Sequence, residues 1–275
     1  MTSAFALVLP LALSGQASPP AETWKTVAPG VDVGRLPARA GGPVVTIVRV
    51  DARQNLFRLL SAPLEGLAEP PSAPEWVERT GVLGVINAGM FQGDGRTPVG
   101  YARAGGRVVN GRWNKDNAVF VAEPDDAARP AARILDRTCD DVPRQIPSYR
   151  VVLQNIRMLD CQGRNVWAQQ ARRWSTACVG ADADGRILLV HVRAPFTTHD
   201  LIDVLRALPL RLTRLMYVEG GPEASLYLKV GGEVVVSEMG SFETGFFESD
   251  DNRRFWPLPN MLGFAPRTNA AGGAR

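Results

Sequence analysis

Asn87 and Glu219 are the two side chains that the sequence places best for chemistry. Each follows an apolar run and precedes glycines: Val82-Leu83-Gly84-Val85-Ile86 leads into Asn87-Ala88-Gly89, and Leu215-Met216-Tyr217-Val218 into Glu219-Gly220-Gly221. Such a run suits a strand buried on both faces. A rigid strand that delivers a polar side chain into a glycine-rich loop is a common way to position a ligand-binding group. If both strands lie in one sheet, their ends converge on a cleft and set an amide beside a carboxylate. Partial desolvation there raises a carboxyl pKa toward the range useful for proton transfer. Both residues also have a structural reading. Asn starts turns readily, and Glu219 can accept hydrogen bonds from the Gly220 and Gly221 amides and so fix the loop.

Other chemistries find less support. His191 shares a strand face with Leu189 and Arg193, and His199 falls in the first turn of a helix. With no other histidine and no G-x-S-x-G elbow, a serine-hydrolase triad is not indicated. No Gly-Lys-Ser/Thr phosphate loop occurs. No CxxC or Cys/His spacing suits zinc, so neither metal nor cofactor is expected. Asp182-Ala183-Asp184-Gly185 lacks the length and distal Glu of a calcium loop and reads as a hairpin turn. Glu219 and Glu223 form a further acid/base pairing, ranked last because side chains on either side of a Gly-Gly-Pro turn need not face one another.

The elements that must hold these residues are short. Strands are expected at Val44–Val50, Leu56–Leu60, Asn117–Ala122 and Arg133–Asp136. Hairpins are expected about Gly105-Gly106 and Gly231-Gly232. Tyr149–Leu159 reads as an extended segment interrupted by Gln154-Asn155, and Trp174–Val179 pairs with Arg186–Arg193. Ser72-Ala73-Pro74-Glu75 is a capping box that opens a short helix stopping near Gly81. Thr198 caps a second helix, His199–Leu208, with Leu201, Ile202, Val204, Leu205 and Leu208 on its apolar face. Many short strands with one or two good helices predict a single α+β domain of mixed β-sheets.

At 275 residues, 45% hydrophobic and 21% charged, the chain can bury a sizeable core. Its net charge of +3 is supplied almost wholly by Arg. No basic run interleaved with aromatics appears, so nucleic acid is not an expected partner. Ala4 to Leu13 is an apolar stretch of signal-peptide length, too short for a bilayer span, and Ser14-Gly15-Gln16-Ala17 follows like a cleavage site. Residues 1–17 are therefore read as a signal peptide without the usual basic start, and 18–23 as a linker. Residues 24–265 form the domain and 266–275 a disordered tail. Export to the periplasm or beyond follows, without stable membrane insertion after signal removal. Cys139 and Cys161 flank a loop-rich segment and can pair in an oxidising compartment. Cys178, in an apolar run, reads as a buried small hydrophobe.

Several stretches together resemble one family. NAGMFQGDGRTPVGYARAGGRVVN with the later DNAVFVAEPD, VLQNIRMLDCQG, ACVGADADGRILLV, MYVEGGPEASLYL and LPNMLGF follow, in order from about Trp24 to Phe264, the motifs of the phosphodiester glycosidase domain family. The exported bacterial members of that family resemble the chain most. The resemblance implies hydrolysis of the bond between a sugar anomeric carbon and a phosphodiester. It implies Glu219 as the carboxylate that acts as base or nucleophile, and Arg173, with Arg172 or Arg157, as the phosphate group's partner. Asn87, Gln154 and Ser225 would orient sugar hydroxyls or the attacking water, beside Gly220 and Gly221. A glycan or sugar phosphodiester is the partner implied. The sequence departs from the family at Glu219, where many members have Asp. It departs again at Trp174-Ser175-Thr176, where members often show Arg-Thr or Arg-Ser. These departures leave a second function in view, a non-catalytic cell-envelope glycan- or exopolysaccharide-binding protein of the same fold.

Overall fold

A computed structural model describes residues 24–267. The expected signal peptide and linker lie outside those residues, as do residues 268–275 of the expected tail. Pro266 and Arg267, expected in that tail, belong to the domain instead, Pro266 as the end of its last strand. In chain order the first strands are β1 (Trp24–Ala28), β2 (Val31–Pro37), β3 (Val44–Val50), β4 (Asn55–Ser61) and β5 (Gly84–Asn87). Next come β6 (Ala102–Ala104), β7 (Arg107–Asn110), β8 (Ala118–Pro124), β9 (Ala132–Asp136) and β10 (Tyr149–Arg157). Then follow β11 (Trp174–Asp182), β12 (Ile187–Phe196), β13 (Leu212–Gly220), β14 (Ser225–Val230), β15 (Glu233–Met239) and β16 (Asn260–Pro266).

The fold is α+β with few helices, as the sequence reading has it. One sheet runs β1-β2-β3-β12-β11-β13-β10-β6-β7, with β8 pairing β10 and β9. The second runs β15-β14-β5-β16-β4. The main core lies between the two sheets, where Val48, Val179 and Val218 of the first meet Phe57, Ile86, Leu226 and Phe264 of the second. The large sheet buries its other face under the helix Thr198–Ala207, through Leu201, Ile202 and Leu205. The small sheet buries its other face under the helix Ala73–Thr80, through Trp76 and Val77. Both faces of the central strands are therefore dry, which is why their sequences read as near-continuous apolar runs rather than alternating ones.

Local signals set the helix ends. The capping box is present: the Ser72 backbone N–H donates to Glu75 Oε2 at 2.7 Å, and the helix closes on Gly81 in the left-handed region. The second helix begins one residue earlier than its sequence suggests. Thr197, not Thr198, is its cap, and its hydroxyl accepts from the Asp200 N–H at 3.0 Å. At the far end of the domain, Arg267 grips Glu123 with two hydrogen bonds of 2.8 Å.

Cys139 and Cys161 form a disulfide that spans 22 residues of sequence, and Cys178 is a buried free thiol. Closing a loop of that length restricts the unfolded chain by about 3 kcal/mol. Protein from an oxidising compartment, denatured without reductant, should therefore titrate one thiol, and the pair Cys139→Ala and Cys161→Ala should lower the melting temperature by roughly 6–12 °C. Three titratable thiols, or an unchanged melting temperature, would contradict this.

Candidate active site

Strand β13 ends the large sheet's share of the chain at Gly220, and β14 begins the small sheet's at Ser225. The chain thus crosses from one sheet to the other within the turn Gly221–Ala224, and Glu219 stands at its threshold. The crossing is tight. Gly221 has φ +66°, and a Cβ added at Gly240 would lie 1.9 Å from the Gly221 carbonyl oxygen, so neither position accommodates a side chain. Opposite Glu219, β13 bulges by one residue: Ala177 faces Glu219 while Cys178 faces Tyr217. Bulges of this kind re-aim side chains beside functional sites.

Asn87 clamps the crossing. Strand β5 pairs with β14, Ile86 opposite Leu226, which brings Asn87 to the turn. Its Nδ2 donates to the Glu223 carbonyl at 3.0 Å, and its Oδ1 accepts from the Ser225 N–H at 2.7 Å. The two motifs singled out in the sequence therefore do meet. The meeting is by amide to backbone, however, and Asn87 is 1% exposed. Its place is that of a positioning residue.

Around the turn gather three carboxyl groups in an apolar setting. Burial pushes the Glu219 carboxyl up to about 8, assisted by Glu223 and Glu243 and opposed by the Gly220 N–H, which donates to Glu219 Oε1 at 3.0 Å. Burial also raises the Glu223 carboxyl, with Glu243 adding to the effect. A Cβ placed at Gly221 would lie 2.5 Å from Glu243 Oε2, so the Glu243 carboxylate rests directly on the turn. Tyr217 is held neutral well above its ordinary value, first by burial and then by the same three carboxyls. Two tryptophans close the aromatic wall: Trp167 lies 5.7 Å and Trp174 6.5 Å from the Tyr217 ring. The Trp174 Nε1–H is buried with no hydrogen-bond partner among the described residues, and its ring packs against Gly220. A buried donor without an acceptor is uncommon.

Several residues expected at the site are committed elsewhere. Gln154 uses its full hydrogen-bonding capacity on the scaffold. Its Oε1 accepts from the Tyr101 and Asn114 amides at 3.0 and 3.2 Å, and its Nε2 donates to the Asn114 and Asp116 carbonyls at 3.1 and 2.7 Å. Nothing remains for a sugar hydroxyl. Ser225 is fully buried, and its hydroxyl donates to the Glu223 carbonyl at 3.0 Å. Arg157 is bound to both Asp136 oxygens, at 3.0 and 2.9 Å, and to the Thr138 hydroxyl at 2.8 Å, which takes it away from a phosphate. Arg172 and Arg173 differ. Both are exposed, and their guanidinium groups have no carboxylate partner among the described residues. The Arg173 backbone is stitched to the loop after Glu243: its carbonyl accepts from the Thr244 N–H at 3.0 Å. Gly220 and Gly221 shape the turn itself.

Sequence reasoning missed Glu243, Tyr217 and Trp174. Glu243 lies in an irregular loop that no motif marks. Trp174 reads in the sequence as the start of a strand and as a place that lacks the family's Arg, not as a donor to a ligand. Asp136, Cys139 and Cys161 cluster closely enough to suggest metal ligands, but the two sulfurs are joined to each other.

The model of the phosphodiester glycosidase family matches residues 80–265. Among solved structures, the zebrafish N-acetylglucosamine-1-phosphodiester alpha-N-acetylglucosaminidase catalytic domain, auto-inhibited by pro-peptide, is similar with a TM-score of 0.61. Identity is 15%, over 88% of this chain and 86% of that one. A hypothetical protein from Synechocystis has a TM-score of 0.58 at 15% identity, over 91% of this chain and 64% of that one. The sequence matches none of the curated proteins. At such identities the structural likeness carries the fold alone.

The Glu219 environment has a consequence for stability. The folded protein keeps a proton on Glu219 up to about pH 8, whereas the unfolded chain releases it near the ordinary 4.5. The stability tied to that proton is complete below about pH 4.5 and is lost as the pH rises through 8. Unfolding measured from pH 5 to 9 should show the parent losing roughly 4 kcal/mol relative to Glu219→Gln, which stays neutral throughout. Parallel pH profiles for the two proteins would mean that Glu219 is solvated and that the site has been misread.

Proposed function

We propose that this chain, which belongs to the phosphodiester glycosidase family, hydrolyses the bond between a sugar anomeric carbon and a phosphodiester. The observation that carries this reading is Glu219, buried at the sheet crossing with a raised pKa and flanked by Glu223 and Glu243. Glycoside hydrolysis calls for one carboxyl that holds a proton and another that is ionised. A carboxyl raised to about 8 is protonated at neutral pH, so Glu219 serves as acid rather than as the base or nucleophile that its strand-end position first suggests. The proton has a second use. A phosphodiester is anionic, and three ionised carboxylates would repel it, whereas a protonated Glu219 donates a hydrogen bond to a phosphate oxygen.

In the proposed step, water attacks the anomeric carbon and gives its proton to Glu223 or Glu243. The bond from that carbon to the phosphate oxygen breaks with its electron pair on the oxygen, which takes the Glu219 proton. The products are the free sugar and a phosphate monoester. Arg172 and Arg173 hold the phosphate from the rim, as charge-assisted donors. The Trp174 Nε1–H donates to a substrate oxygen, and Asn87 keeps the turn in place beneath. The apolar stretch Ala4 to Leu13 and the Cys139–Cys161 disulfide support an extracytoplasmic setting for this activity. No helix among the described residues is long and apolar enough to cross a membrane.

The first substrate to test is a 1-phosphodiester of N-acetylglucosamine, the sugar named for the zebrafish relative. Glu219→Gln should lower sugar release at least about a hundredfold, the usual scale for an acid/base group, while folding normally. Trp174→Phe, which keeps the ring and removes the N–H, should raise KM more than it lowers kcat. Undiminished release by folded Glu219→Gln would transfer the acid role to another residue. Glycan binding without release of sugar from any phosphodiester would replace hydrolysis by the binding function.

A further inference from the structure

Hydrolysis at Glu219 leaves open what the phosphate carries on its other side. A cavity of about 470 Å³ opens beside Arg173. Its walls include Arg39 and Pro43 from the β2–β3 connection, Pro195 and Phe196 at the end of β12, Arg173 and Val204. Phe196 is paired with Trp174 across β12 and β11, and Phe196, Val204 and Trp174 pack in one apolar layer with Tyr217. The cavity adjoins the carboxylate site through Arg173, which lines it and whose backbone carbonyl accepts from the Thr244 N–H, next to Glu243.

The polar groups in the cavity divide sharply. Thr197 has its hydroxyl engaged in capping the helix. The Asp200 carboxylate accepts from the Gln169 amide at 2.7 Å and faces His199 at 3.5 Å. Arg39 and Arg173, by contrast, make no side-chain hydrogen bond and no ion pair among the described residues. Two unpaired guanidinium groups, the half-exposed Asp200 carboxylate with one oxygen engaged, and walls of proline, phenylalanine and valine face a ligand. That combination suits a molecule with one anionic group and an apolar body. A polar alcohol such as glycerol or a second sugar would leave its hydroxyl groups facing those walls without partners.

We propose that this cavity receives the aglycone of the diester, and that the aglycone is an alkyl-chain alcohol. Resting on the hydrolytic reading, the assignment places the sugar at Glu219, the phosphate at Arg173 and the chain along Pro195, Phe196 and Val204, with Arg39 adding charge at the mouth.

The test compares two diesters of the same sugar 1-phosphate, one with octyl alcohol and one with glycerol. Wild-type protein should favour the octyl diester at least tenfold in kcat/KM, mainly through KM. Val204→Asp and, at the exposed rim, Pro195→Asp should each remove that preference. Calorimetric binding of both diesters to Glu219→Gln gives the same comparison without turnover, and should again favour the octyl diester at least tenfold. Release of sugar from both diesters with equal kcat/KM would overturn the apolar aglycone and leave hydrolysis standing. Preferential binding of the octyl diester with no release from either would sustain the cavity's role and overturn hydrolysis. Equal binding of the two, or a preference that survives in both folded Asp variants, would overturn the cavity assignment.

Discussion

The molecule depends on a crossing between sheets. Consecutive strands β13 and β14 belong to different layers, and only a few residues separate them. A link that short holds its shape only if the backbone can turn sharply and pack closely. Gly221 supplies the positive φ, and Gly240 lets the Gly221 carbonyl approach. The Ala224 carbonyl is then tied down by the Gly240 N–H at 2.6 Å and by the buried His191 ring at 3.3 Å. Asn87 completes the restraint from the small sheet. The link is bound to the main core between the layers, because Val218 and Leu226, on either side of it, pack into that core.

The same restraint explains the electrostatics. A glutamate at the mouth of a loop would ordinarily stay solvated and ionised. Glu219 is instead carried inward by a strand buried on both faces, and only 9% of it is exposed. The single backbone donor it receives, from Gly220, does not offset that burial. Holding such a group is destabilising, and the surrounding fold over-determines its position. Strain and desolvation accumulate in this way at functional sites.

Much of this was legible in the sequence. The apolar runs before Asn87 and Glu219 announced doubly buried strands, the capping box fixed one helix, and glycine pairs marked two hairpins. Thr197 was hidden as a cap because its neighbour Thr198 is an equally good candidate by type. The site was legible in its anchor and not in its periphery. Glu219 lies on a regular strand, where pattern has meaning. Glu243 arrives from a loop whose path is set by backbone bonds to Ser175 and Arg173, and no local signal encodes such long-range bonds. Gln154 and Arg157 misled for the opposite reason. Their types suit ligand binding, but neighbouring loop carbonyls and Asp136 claimed them first.

The cavity and the arginines stand apart from the crossing in one respect. Arg39, Arg172 and Arg173 sit on connections between strands, whereas Glu219 sits within one. Side-chain substitutions there touch no strand pairing of the two sheets, whereas the Arg173 backbone itself holds the loop after Glu243. What the site accepts can therefore be altered at the rim without altering the strand that carries the reactive carboxyl.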